Sequence, residues 1–175
     1  MKNQAIEKRT AERERLLQEV RTDALTGLNN RLAFESAMQA LNEEKVSDCV
    51  LAMVDFDHFK QINDRYGHPA GDRYLAFLGR VLREAAPGAE AFRYGGDEFC
   101  LLFRGTSLED AERICRGIQE KMKEAGSIEP PFVPTLSIGL AQGKDGMTAR
   151  ELLAGADQVL YRAKAKRNCC IADTE

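Results

Sequence analysis

Apolar residues along the chain recur with two different periods, and the points where one period gives way to the other lay out the elements. From Lys2 to about Arg21 the sequence is rich in Glu, Arg, Lys, Ala and Leu and has no Gly or Pro, which predicts a helix. A heptad reading puts Ile6, Arg13 and Val20 in one core register and Arg9 and Leu16 in the other, a seam weakened by its arginines. Gly27 and the pair Asn29-Asn30 mark a turn, after which Leu32, Phe34, Met38 and Leu41 repeat with helical spacing from Arg31 to about Asn42. The run "CVLAMVDFDHF" reads as a buried strand with Asp55 and Asp57 at its C-terminal end, on one face if the strand continues that far.

A core helix follows through Leu75, Leu78, Val81 and Leu82, stopped by "APG". Ala91 to Tyr94 and Phe99 to Phe103 are strand-like, with Gly95 and Gly96 expected to supply positive φ angles at the turn between them. "SLEDAERICRGIQEKMKEAG" predicts a helix capped by Ser107 and stopped by Gly126, "PTLSIGLAQG" a strand, and "MTARELLAGADQVLYRAKAKRN" a last helix capped by Thr148. The expected order is α-α-β-α-β-β-α-β-α, an α+β fold (an α/β sandwich) in which a mostly antiparallel central sheet is covered by helices. Residues 1–21 read as a lead-in or linker helix and 22–175 as one domain.

Composition narrows the field only modestly. The 175 residues are 43% hydrophobic and 30% charged, and no apolar run approaches the ~20 residues of a membrane span. The N-terminus lacks the apolar core of a secretory signal, so the expected compartment is cytoplasmic. A net charge of −3 offers no global attraction for nucleic acid, so any phosphate binding must be local. Five cysteines match neither a disulfide framework nor a zinc spacing and are expected to be reduced, with Cys169-Cys170 in an exposed tail.

Chemistry concentrates at two acidic sites, each at a strand end or turn: Asp55 with Asp57, and Asp97 with Glu98 in "FRYGGDEFCLLF". Carboxylates converging on a cleft suit a hard divalent cation, which is usually held by one or two of them together with substrate phosphates. Adjacent glycines let a triphosphate approach the backbone. Gly-Gly-Asp is equally a hairpin turn, and acids at strand ends are commonly solvated, so neither site is decisive alone. Asp23 and Arg31 flank the first turn as a candidate ion pair, and Leu160 and Tyr161 are expected in the core.

Taken together, "DALTGLNNR", "DFDHFKQINDRYGHPAGD", "RYGGDEF", "LSIGLA" and "ADQVLYRAK" closely resemble the GGDEF family of diguanylate cyclases from Asp23 to about Asn168. The resemblance implies a fold like that of nucleotide cyclases and polymerase palms. It also implies condensation of two GTP into cyclic di-GMP and two pyrophosphates, at a site formed by two facing subunits of a homodimer. It implies Mg²⁺, with Mn²⁺ as the alternative, held by Asp55, the Phe56 carbonyl, Asp97 and Glu98. It implies Asp97 and Glu98 as the catalytic acids of the signature and Lys60 as the residue that stabilises the transition state. By the same resemblance Asn63 and Asp72 would read guanine, His68 and the turn glycines Gly95 and Gly96 would contact substrate, and Lys164 would bind phosphate, with Arg167 or Lys166 substituting for the family's arginine. An upstream sensory domain or regulator is a further implied partner.

Two departures qualify the resemblance. Where family members subject to product inhibition carry Arg-x-x-Asp, this chain has Ala86, Pro87, Gly88 and Ala89. Near the C-terminus the family's Lys-x-x-Gly-Arg-Asn is one residue shorter here and lacks the glycine, as Lys164 to Asn168. The competing reading is a catalytically weak module that binds GTP or cyclic di-GMP and acts in regulation or dimerisation. A cyclase with relaxed base choice is a third, and Asp72 argues against it.

Overall fold

The strand β1, Cys49–Phe56, is buried at all eight positions because helices cover both faces of the sheet it runs through. The computed structural model describes residues 6, 7, 9, 10, 12, 13, 16 and 20–173, and the named elements after β1 are built around it. Helix α1 (Arg31–Leu41) precedes it. After it come α2 (Phe59–Tyr66), α3 (His68–Ala85), β2 (Ala89–Arg93), β3 (Glu98–Arg104), α4 (Leu108–Lys121), β4 (Leu136–Gln142), α5 (Ala149–Lys166) and β5 (Cys170–Ala172). The sheet order is β2-β3-β1-β4-β5. All neighbours are antiparallel except β4 and β5, which run parallel.

The period of two divides the core. Val50, Ala52, Val54 and Phe56 point into one cluster with Leu75, Leu78 and Leu82 of α3 and Cys115 and Ile118 of α4. Cys49, Leu51 and Met53 point into the other, with Phe34, Met38 and Leu41 of α1 and Leu152, Ala156 and Leu160 of α5. Phe99, Leu101 and Phe103 of β3 join the first cluster, and Cys100 and Leu102 the second. Each Val, Leu, Ile, Phe or Met among them contributes roughly 1.5–3 kcal/mol on burial. By the same parity, Asp55 at the end of β1 and Glu98 at the start of β3 fall on the α1–α5 face, and the two are direct partners in the strand register.

Local chemistry explains the helix limits. Asn30 caps α1 by accepting from the Ala33 N–H, Ser107 caps α4, and Thr148 with Glu151 forms a capping box at the start of α5. Gly139 permits α5 to lie directly on β4: a Cβ there would stand 2.1 Å from the Leu160 nitrogen.

Several expectations change. The mostly antiparallel sheet covered by helices is present, but α2 and β5 were not foreseen as separate elements. Cys170 is buried in β5 and not in an exposed tail. Leu160 is core, whereas Tyr161 is 78% exposed. Helix α4 ends at Lys121, and a 3-10 turn over Met122–Ser127 carries the chain past Gly126. Asp23 pairs with Arg93 and not with Arg31, which pairs with Glu35 and stacks on Tyr94. Described residues between Ile6 and Arg21 are helical, with Ile6, Leu16 and Val20 exposed. Lys2, where the helix was expected to begin, lies outside the described residues.

Candidate active site

The connection between β2 and β3 is held from beneath by Arg93. Its Nε donates to the Gly95 carbonyl at 3.2 Å and its Nη2 to the Gly96 carbonyl at 2.8 Å, while Nη1 reaches Asp23 Oδ1 at 3.1 Å. The Phe56 N–H donates to the Asp97 carbonyl at 3.1 Å, which fastens the turn to the end of β1. Neither Gly95 nor Gly96 adopts a positive φ, contrary to expectation. A Cβ at Gly95 would stand 2.8 Å from Glu98 Oε2, a contact the flexible glutamate side chain relieves by moving. Gly96 faces open space.

This arrangement gathers acids where β1 ends and β3 begins. Burial pushes the Asp55 carboxyl above its ordinary range; Lys164 pulls it down only in part, and Asp97 and Asp57 push it further up. Burial also raises Glu98, with the charges of Asp55 and Asp97 adding to it. Lys164 Nζ donates to Asp55 Oδ2 at 2.7 Å from the last turn of α5. Among the described residues no three acidic, histidine or cysteine side chains stand close enough to hold an ion by themselves. Carboxyls raised by burial and by neighbouring acids, with the shell left incomplete, fit a Mg²⁺-like ion whose remaining ligands are nucleotide phosphates.

Asp57 belongs to a different structure. Strand β1 stops at Phe56, and the Asp57 carboxylate accepts from Thr135 Oγ1 and Ser137 Oγ, both at 2.7 Å, from the Asn168 N–H at 2.9 Å and from Arg167 Nη1 at 3.4 Å. Burial would raise its pKa, but Ser137, Asn168, Thr135 and Arg167 outweigh that and hold it below the ordinary range. Arg167, foreseen as a phosphate binder, thus has its guanidinium beside Asp57 and its backbone at φ 59 and ψ 159, a region otherwise left to glycine. The missing glycine of "KAKRN" explains this: Arg167 ends α5 where a glycine would be unstrained.

Away from the acids, α2 and α3 meet at Asn63 and Gly71. Asn63 Oδ1 is buried without a hydrogen-bond partner, and a Cβ on Gly71 would stand 2.0 Å from it. An unsatisfied buried amide oxygen is costly unless a ligand completes it. Asp72 is exposed on the next position of α3, His68 is exposed at its first, and Lys60 is exposed on α2. Gly71 and Arg93 were not singled out from the sequence; the small residue before Asp72 and the arginine before the turn were the available signals.

Residues 20–169 match the family described as diguanylate cyclase, GGDEF domain. The chain belongs to the GGDEF family. It is 36% identical over 152 residues to the diguanylate cyclase DgcS of Shewanella oneidensis, covering 84% of this chain and 51% of that protein. It is also 36% identical over 156 residues to the cyclic di-GMP phosphodiesterase NbdA of Pseudomonas aeruginosa, covering 86% of this chain and 20% of NbdA. The chain therefore spans about half of DgcS and a fifth of NbdA. Among solved structures, the coiled coil and GGDEF domain of DgcB from Caulobacter crescentus in complex with c-di-GMP superposes with a TM-score of 0.86 at 28% identity. That match covers 98% of this chain and 95% of the other. The palm-like cyclase fold expected from the sequence is thereby confirmed.

Proposed function

We propose that this GGDEF domain is a diguanylate cyclase that condenses two GTP into cyclic di-GMP with release of two pyrophosphates, between two copies of the chain. The observation that carries the reading is the grouping of Asp55, Asp97 and Glu98 where β1 ends and β3 begins, with Lys164 paired to Asp55 and an unsatisfied Asn63 oxygen between α2 and α3. In each half-reaction a ribose 3′-oxygen bonds to the α-phosphorus of the other nucleotide, the bond to pyrophosphate breaks, and the hydroxyl proton passes to Asp97. Asp55, the Phe56 carbonyl, Asp97 and Glu98 would hold Mg²⁺, or alternatively Mn²⁺, together with nucleotide phosphates. Such an ion supplies neutralisation of phosphate charge and a lowered hydroxyl pKa. Lys60 neutralises charge developing on the transferred phosphoryl group.

Asn63 and Asp72 pair with the guanine edge: the carboxylate accepts from the base N–H groups and the amide takes the complementary edge. That pairing favours GTP over ATP. Gly95 and Gly96 let substrate approach the turn, His68 contacts it, and Lys164 binds phosphate. Arg167 serves phosphate only if it leaves Asp57. With Ala86, Pro87, Gly88 and Ala89 in place of an Arg-x-x-Asp motif, cyclic di-GMP does not inhibit through that position. The exposed stripe of Ile6, Leu16 and Val20 supports pairing with a second copy, and the greater length of the relatives supports an upstream sensory domain or regulator.

The match to NbdA, named for the opposite activity, keeps a second reading in play: a weakly active nucleotide-binding module with a regulatory role. Mass spectrometry of a GTP and Mg²⁺ incubation separates the two. Cyclic di-GMP with two equivalents of pyrophosphate is the expected product, whereas bound and unaltered GTP supports the module.

A further inference from the structure

We infer that the Lys164 ammonium is the resident counter-ion of Asp55 when no nucleotide is bound and that it must leave Asp55 for a divalent cation to bind there, so that cation and triphosphate bind cooperatively. The inference rests on the proposed nucleotide site and adds an order of events to it. Asp55 is 6% exposed at its side chain and Lys164 36%, so the carboxylate is fixed while the ammonium has room to move. An inner-sphere cation at ~2.0–2.1 Å from a carboxylate oxygen and an ammonium 2.7 Å from that carboxylate repel each other strongly.

Local charge points the same way. The charge of Asp97 acts on both Asp55 and Glu98, that of Asp55 acts on Glu98, and the Lys164 ammonium opposes them at both carboxyls. A divalent ion arriving alone meets an oxygen already paired with an ammonium, and the described side chains do not complete its shell. A triphosphate changes both conditions, because its oxygens finish the shell and offer the ammonium another anion. The lysine stem can make that move without the backbone, since the turn after α5 is tied down by the Asn168 N–H bond to Asp57. The swing therefore exchanges one ion pair for another and leaves the fold in place.

The test measures Mn²⁺ binding by electron paramagnetic resonance, with and without a GTP analogue whose α,β-bridging oxygen is replaced by methylene. It uses the whole chain as wild type, Lys164→Met, Lys164→Gln and the double variant Asp55→Asn/Lys164→Met, each checked for native circular dichroism. Both single variants are expected to bind Mn²⁺ alone about five- to tenfold more tightly than wild type, and to gain correspondingly less from the analogue. The double variant loses the gain. Wild type that binds both ligands, with single variants no tighter for Mn²⁺ alone, overturns this inference and leaves the functional reading standing. Wild type that binds neither Mn²⁺ nor the analogue overturns both.

Discussion

Asp55 and Asp57 stand two residues apart in the same motif, yet they live in opposite environments. Asp57 is surrounded by donors from β4, the loop before it and the turn after α5, with every acceptor direction used and its pKa depressed. Asp55 has one cation, acidic neighbours and a raised pKa. A carboxylate with its hydrogen bonds complete is a structural tie; one left under-neutralised at a strand end holds unspent affinity for a cation. The difference teaches that D-x-D spacing does not by itself make a ligand pair. The strand ends between the two residues, and from there the backbone sends them to different partners.

Replacing each residue in turn breaks the comparison apart. The largest effect is expected from Asp55→Asn, which should lower cyclic di-GMP formation by about a hundredfold or more. Its thermal midpoint should hardly fall, because the change removes a buried charge the fold disfavours; a loss of both together would show Asp55 to be structural. Asp57→Asn should do the reverse. Urea denaturation should register a loss of about 2–4 kcal/mol, since the amide cannot accept from four donors, while turnover per folded molecule stays within a few-fold of wild type.

Acid sharpens the same contrast. The folded pKa of Asp57 lies below its ordinary value of 3.8, so the stability it contributes is fully present above that value and fades as pH falls through the depressed one. The stability gap between wild type and Asp57→Asn should therefore be flat near neutrality and shrink below about pH 4. Asp55 and Glu98 have the opposite sign: their raised pKa values mean a cost at neutral pH that acid relieves. A gap that widens in acid would contradict the assignment of Asp57. The smallest effect belongs to Arg167→Gly, which relaxes the φ of 59 and gives up the long 3.4 Å pairing of a half-exposed guanidinium with Asp57, whose three shorter hydrogen bonds remain. It should raise stability by about 1 kcal/mol or less in the same urea experiment.

The central strand, the helices around it and the acidic turn were legible because periodicity reports burial directly. The alternation along β1 and β3 even assigns Asp55 and Glu98 to a common face once the sheet is known. What stayed hidden depends on distance in sequence. The hydroxyl and backbone partners of Asp57 lie 78 to 111 residues away, so nothing near it signals a tie. Strand β5 is three residues long, too short to show a period, and its pairing with β4 is what buries Cys170. Gly95 reads as a turn residue needing positive φ, but it adopts none, and the side chain of Glu98 folds back over it. Tyr161 has the composition of a core residue and falls on the solvent side of α5.

The dependence of the initial rate of cyclic di-GMP formation on protein concentration, at saturating GTP and Mg²⁺, tests the central claim most directly. Two facing half-sites predict a rate that rises more steeply than the first power of concentration until the dimer saturates. A strictly proportional rate down to nanomolar protein, or no product at any concentration despite bound GTP, would contradict it.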